Sequence, residues 1–379
     1  MNQTSNFYTS KLSHYRTNKL TVAYFVSPHG FGHAARAAAV MNALDRQHPQ
    51  IHFEIFSLVP RWFFSESLTA SFTYHSLLTD IGLAQTSALK ENVPQTLQRL
   101  RAFLPFDSVL VADLARRIGK CHLIICDIAP LGIAVAQQAG VPSILIENFT
   151  WDWIYAGYDE ARLKPHMDYL RAIFRAADYH IQTEPVCARW RADLTAPPVR
   201  RAPRTSRNET RKRLAIAAQS KVVLITMGGI PEQHSFLDRL VEFKHVRFII
   251  PGATKIARRR DSLILLPHRS EFYHPDLMNA ADAVIGKAGY STVAEAYHAG
   301  IPFGFVSREK FREAETMARF IKQQMHGVEI SAGDFQNGRW LHMLDEFLAM
   351  PRIKRHEANG AEQAADFILN RAAATNRNM

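Results

Sequence analysis

The chain has 379 residues, a net charge of +11, 47% hydrophobic and 21% charged residues, and three cysteines. That balance excludes a largely disordered protein, and the irregular spacing of Cys121, Cys126 and Cys187 excludes a disulfide framework or a zinc cluster. The length exceeds what one core usually supports, so two domains are expected.

Residues 1–19 are a polar extension without the apolar stretch of a signal peptide, and a cytoplasmic location is expected. VAYFV (22–26) has the length and composition of a buried strand. SPHGFGHAARAAAV (27–40) follows, with Ala37, Val40, Met41 and Leu44 on one face of a helix. Its glycines, Gly30 and Gly32, close a tight strand-to-helix turn, and the first N–H groups of that helix would attract phosphate or carboxylate. His29, His33 and Arg36 are more polar equipment than a turn requires. IHFEIF (51–56), HLIICD (122–127) and SILIEN (143–148) supply further strands, so residues 20–195 read as one domain. The run from Leu123 to Ile146 is broken by Asp127, Pro130, Gln137, Gln138 and Pro142 and is no membrane span.

Residues 196–210, rich in Pro, Arg and small polar groups, read as a linker. VVLITMG (222–228), HVRFIIPG (245–252), LILLP (263–267), DAVIGKAG (282–289) and FGFVS (303–307) mark a second domain over 211–350. A C-terminal helix is expected in 351–379, with Ala364, Phe367, Ile368 and Arg371 on one side. Strands alternating with helices define an α/β chain of two doubly wound parallel sheets facing across a cleft. In such sheets ligands bind at the carboxyl ends of strands.

The second polar cluster, GKAGYSTVAEAYHAGIPF (286–303), follows a strand. Gly286 and Gly289 allow close backbone approach, Ser291 and Thr292 bring hydroxyls, Lys287 a cation, and Glu295 a carboxylate one turn into the helix. That set suits a phosphate on the helix end and a ribose diol on Glu295. The same spacing also fits a capping box in which Glu295 returns to the backbone of Thr292. Arginines cluster at 200–213 and 258–260. They would serve nucleic acid, an anionic membrane surface, a phosphorylated ligand or simply a solvated face, and no nucleic-acid motif accompanies them.

This cluster resembles the donor-site signature of GT-B glycosyltransferases, which include plant small-molecule glucosyltransferases and the N-acetylglucosaminyltransferase of peptidoglycan lipid synthesis. More specifically HGFGHAAR, IENFTWDWIYAGY (146–158) and GKAGYSTVAEAYHAGIPFGFVSREKFREAE (286–315) resemble the glycosyltransferase-like N-terminal region of plant L-arabinokinases and stand-alone bacterial relatives. The likeness covers roughly residues 20 to 350 and excludes the kinase half.

The resemblance implies a metal-independent, inverting transfer from a nucleoside-diphosphate sugar, UDP foremost, with no cofactor. It implies Glu295 for the ribose, Gly289, Ser291 and Thr292 for the diphosphate, and Lys287 in place of the His of many relatives. Gly228 and Gly229 lie at the first turn of the second domain, and Glu313, with Glu315 competing, falls where donor-sugar hydroxyls are held. His33 matches the general base and Asp127 its partner, although a cap role at either position fits the sequence as well. His29, Gly30, Gly32, Arg36, Asn148, Trp151 and Asp152 are the expected acceptor-side contacts, with a core role as the alternative for the aromatic cluster Trp151, Trp153 and Tyr155, Trp153 foremost. The acceptor itself is unassigned, with a lipid-linked or polyanionic one suited to the basic clusters and peripheral membrane contact. Two rivals stand beside this reading. One is a dehydrogenase, from Gly30-x-Gly32-x-x-Ala35 with Glu54 downstream, weakened because Glu54 falls inside a strand. The other is a GT-B scaffold that binds a nucleotide sugar or another phosphorylated ligand and transfers nothing.

Overall fold

A computed structural model of the chain describes residues 19–87, 89–228 and 235–375. The extension before Lys19 and the expected contact Gly229 lie outside the described residues.

The first sheet holds seven strands in the order β3-β2-β1-β6-β7-β8-β9. They are β1 (Leu20–Val26), β2 (Ile51–Ser57), β3 (Ser71–Ser76), β6 (Leu123–Asp127), β7 (Ser143–Glu147), β8 (Tyr179–Thr183) and β9 (Leu194–Ala196). All neighbours pair in parallel. β4 (Gln85–Ser87) and β5 (Lys90–Glu91) form a separate small hairpin. β1, β6 and β7 are apolar runs buried on both faces, which only a sheet covered by helices on each side allows.

The second sheet repeats the plan in the order β12-β13-β11-β10-β14-β15-β16. Its strands are β10 (Lys221–Thr226), β11 (Val246–Pro251), β12 (Arg258–Arg260), β13 (Leu263–Leu266), β14 (Ala283–Lys287), β15 (Phe303–Val306) and β16 (Gly327–Glu329). Only β12 runs antiparallel to its neighbour, and its three exposed arginines discourage further strands from pairing at that edge.

Strand order reverses between β1 and β6 in the first sheet, and between β10 and β14 in the second. These are the two switch points at which such sheets bind ligands. The residues after β1 and β6 are Ser27–Gly30 and Ile128, and those after β10 and β14 include Gly228 and Gly289, so both polar clusters of the sequence stand where the topology requires. β10 and β14 draw so close at their ends that a Cβ on Gly286 would lie 1.8 Å from the Thr226 carbonyl oxygen. No other residue fits there.

Two segments depart from the sequence reading. Residues 197–206 are no solvated tether, because Val199 and Arg201 are buried and the Val199 N–H donates to the Tyr290 hydroxyl. The last helix begins only at Gly360, and its Ala364 and Ile368 pack back toward the first sheet. Arg371 there lies 4.8 Å from the centre of the Tyr179 ring. Among the described residues no helix is long and apolar enough to cross a membrane.

Candidate active site

Helix α1 (Phe31–Gln47) starts at Gly30, whose φ of 72° belongs to the region glycine tolerates, and no side chain caps its first turn. The helix at Tyr290–Ala299, capped by Gly289, also lacks a side-chain cap. These two uncapped ends face each other, since a Cβ on Gly32 would lie 3.9 Å from Ser291 Oγ. Lys287 stands beside them, its Cε 3.3 Å from where a Cβ on Gly228 would sit. Two helix N-termini and one ammonium thus bring positive potential to one place between the sheets.

The adjoining cleft encloses about 810 Å³, including its open mouth. Phe31, Trp62 and Phe63 line it from the first sheet's side, and Gly228, His268, Tyr273, Ser291, Thr292 and Glu295 from the second. Phe31 stacks on Phe63 with centroids 5.0 Å apart and lies 5.3 Å from the His268 ring. Glu295 is buried and does not return to Thr292, so the capping box is not formed. Its Oε1 accepts from Arg201 Nε at 3.1 Å and its Oε2 pairs with His274 Nδ1 at 3.1 Å. Burial alone would push its pKa up, but Arg201 and His274 outweigh that and hold the carboxyl below its ordinary range. A carboxylate has about four acceptor positions, so each oxygen keeps one for a ligand hydroxyl.

On the other side of α1, His33 Nδ1 lies 3.2 Å from Asp127 Oδ1, as the dyad expectation requires. Asp127 is no cap, since Ala129 begins the next helix without side-chain help. Its carboxyl also takes Arg36 Nη2 at 2.6 Å and Nε at 2.9 Å. Burial pushes Asp127 up, while Arg36 and the bond from His33 bring it below the ordinary carboxylate range. An ionised Asp127 assigns the Nδ1 proton to His33 and leaves Nε2 as the basic nitrogen. His33 packs edge-on against Phe149 and Trp151, with centroids 5.9 and 6.2 Å away.

The expected acceptor contacts are less exposed than the sequence implied. Arg36 is 1% exposed, and its guanidinium is taken up by Asp127, by Asn148 Oδ1 at 2.7 Å and by Thr183 at 3.3 Å. Asn148 is fully buried and donates to Glu313 at 2.8 Å. Trp151 is 1% exposed among rings, and Asp152 is buried against Arg171 Nε at 3.2 Å. His29 Nδ1 accepts from the Leu83 N–H at 3.3 Å, which fixes the turn, and burial lowers its basicity. Glu315 pairs instead with exposed Arg319.

Two residues escaped sequence reasoning. Arg201 enters the cleft from the stretch read as a linker, between the rings of Phe63 and Tyr273 at 5.2 and 5.3 Å. Its neighbours Arg207 and Arg211 pair with Asp282, so part of the basic cluster is spent internally. Asp80 is 2% exposed, neither carboxylate oxygen has a well-formed hydrogen bond, and burial pushes it up to about 7. Its ordinary value is 3.8, so the fold favours the protonated acid and stability falls as pH rises from there through about 7. The slope is at most about 1.4 kcal/mol per pH unit. The advantage of Asp80→Asn over wild type in melting temperature is expected to grow from pH 5 to pH 8; a constant difference contradicts the assignment.

Among the described residues no three His, Cys, Asp or Glu side chains are grouped as metal ligands. Glu54 lies mid-strand, bonded to His75 at 2.6 Å, away from any ribose position of a dinucleotide.

Two facing doubly wound sheets with their switch points opposed define a GT-B fold. The sequence matches the family described as Glycosyl transferase family 1 over residues 20–349, and the chain belongs to that family. It is 28% identical over 358 residues to the L-arabinokinase of Arabidopsis thaliana, covering 92% of this chain and 34% of that protein. The chain thus spans about a third of that curated relative's length. A Polygonum tinctorium UDP-glucosyltransferase capable of glucosylating indoxyl is similar in fold (TM-score 0.59, 14% identity, 94% of each chain). Acinetobacter baumannii MurG is similar as well (TM-score 0.53, 16% identity, 93% of this chain and 99% of that one).

Proposed function

We propose that the protein transfers a sugar from a nucleoside-diphosphate sugar to an acceptor hydroxyl, with inversion and without a metal ion. The observation that carries this reading is the meeting of two uncapped helix N-termini and Lys287 beside a cleft whose floor holds Glu295. The diphosphate lies on the helix ends, with Ser291, Thr292 and Gly228 around it and Lys287 as counter-charge. These groups stabilise the negative charge that builds on the departing diphosphate, the task a metal performs elsewhere. The ribose diol binds the remaining lone pairs of Glu295, which Arg201 and His274 hold in place. UDP is the favoured carrier, on the likeness to the Polygonum enzyme.

His33 Nε2 takes the acceptor proton as the hydroxyl attacks the anomeric carbon, and Asp127 keeps the imidazole in the tautomer this requires. Attack opposite the leaving diphosphate inverts the anomeric centre. Acceptor binding falls to the His29–Gly32 turn and the exposed edges of the Trp151 segment, since Arg36 and Asn148 are engaged below. A lipid-linked or polyanionic acceptor remains the class suited to the basic surface.

One observation favours a binder without turnover: the Asp127 carboxylate that faces His33 is already held by two bonds from Arg36. The donor half of the proposal is tested on Glu295. A hydrogen bond to a charged group contributes about 1.5–3 kcal/mol, so Glu295→Ala should weaken the cognate nucleoside diphosphate roughly 100-fold in calorimetry. Undiminished affinity would remove Glu295 from the ribose site.

A further inference from the structure

A single line of buried side chains crosses from the switch point of the first sheet to a helix of the second. His33 meets Asp127 at 3.2 Å, Asp127 meets Arg36 at 2.6 Å, Arg36 meets Asn148 at 2.7 Å, and Asn148 meets Glu313 at 2.8 Å. None of the five is more than 7% exposed. The first four come from the first sheet's domain, Asp127 from the end of β6, His33 and Arg36 from α1 and Asn148 from the turn after β7, and Glu313 opens the helix Glu313–Gln324 after β15 of the second. Arg36 also lies 4.9 Å from the centre of the Tyr290 ring, next to Ser291 at the other helix end.

The chemistry fixes Asn148 at its place in the line. A guanidinium only donates and a carboxylate only accepts, so the amide oxygen must face Arg36 and the amide nitrogen must face Glu313. An Asp there would set two carboxylates against each other, and an apolar residue would strand both partners. Asn148 therefore converts the grip of Arg36 on the His33–Asp127 pair into a fixed position for Glu313 Oε1. The second oxygen of Glu313 is left to reach a ligand.

Resting on the transferase reading, we infer that Asn148 is a positioning residue for the donor sugar, not an acceptor contact. It aims Glu313 at the hydroxyls of the transferred sugar and ties that aim to the base on the opposite wall. The nucleoside and diphosphate bind elsewhere, on Glu295 and the helix ends, so Asn148 has no part in their affinity. What it governs is the extra affinity that a sugar adds to its own diphosphate.

The test is calorimetric titration of UDP, GDP and dTDP and their glucose conjugates into wild type, Asn148→Ala, Glu313→Gln and the double variant, each first shown by thermal melting to be folded. Wild type is expected to bind one diphosphate and to gain affinity from its sugar. Asn148→Ala should keep diphosphate affinity within about two-fold and lose the sugar gain, roughly 10-fold for one charge-assisted bond. Glu313→Gln retains an acceptor oxygen for Asn148 and tests the same gain where Asn148→Ala fails to fold. The double variant should lose no more than the worse single one, as residues acting through one contact do. An intact sugar gain in Asn148→Ala overturns the inference, as does an equal loss for diphosphate and conjugate, which marks a prop for the fold. A wild type that binds the diphosphate but gains nothing from the sugar overturns it too. If wild type binds none of these ligands, the donor reading itself fails and the inference falls with it.

Discussion

His33→Ala is expected to lower turnover by roughly 100- to 10,000-fold, the usual contribution of a positioned general base. Affinity for the nucleoside diphosphate should stay within about two-fold, because His33 lies across α1 from the cleft that holds Glu295 and is absent from its lining. The split between turnover and binding is what separates an enzyme from a binder. His33 Nδ1 is 3.2 Å from Asp127 but also 3.4 Å from Arg36 Nη2, which can only donate. If Arg36 held the Nδ1 lone pair, the ring would offer an Nε2–H and no base. The shorter contact and the ionised Asp127 favour the base. Unchanged turnover in His33→Ala would favour the other tautomer and a different role for the ring.

Arg36→Met carries the largest expected effect on stability. Arg36 and Asp127 are 1% and 0% exposed, and removal of the guanidinium leaves a carboxylate with only the imidazole beside it. Breaking a buried pair by deleting one partner costs about 3–5 kcal/mol. In a domain of this size that lowers the melting temperature by on the order of 10 °C. Arg36→Lys keeps the charge but loses the planar fork that reaches Asp127 twice and Asn148 once, so it should recover only part of the loss. A melting temperature within a degree or two of wild type for Arg36→Met would mean that Asp127 takes up a proton at little cost.

The parts of this site that sequence made legible are those written locally. Apolar runs of strand length locate β1, β6, β10 and β14, all but β6 followed by a glycine turn, and chain alternation places the polar clusters at strand ends. His33 and Asp127 are legible because both stand toward the carboxyl ends of strands at one switch point, Asp127 closing β6 and His33 in the first turn of the helix that follows the neighbouring β1. Arg36 and Asn148 were placed on the acceptor wall because a buried arginine and a solvated one look alike in sequence. What buried them was pairing across 91 and 112 residues, which no local pattern records. Arg201 illustrates the same limit more sharply. Its surroundings, Pro and Arg with small polar residues, have the composition of a tether, and the chain instead threads it between Phe63 and Tyr273 onto Glu295. Asp80 carried no signal at all, since its burial arises from the packing of Trp151 and the turn at Gly82 around it.

The capping-box alternative for Glu295 fell for a reason of reach. Its carboxyl turns away from the helix start toward Arg201 and His274, so a spacing that permitted both outcomes was decided by residues 94 and 21 positions away. The donor proposal depends on that orientation.

Sugar transfer by this protein requires the cleft to be a nucleoside-diphosphate site. The measurement that bears on it most directly is calorimetric titration of UDP, GDP, dTDP, CDP and NAD into the wild-type protein. One nucleoside diphosphate, UDP foremost, is expected to bind with one-to-one stoichiometry, and NAD is expected not to bind. Binding of NAD alone, or of none of the five, would contradict that expectation and leave a glycosyltransferase fold without its donor chemistry.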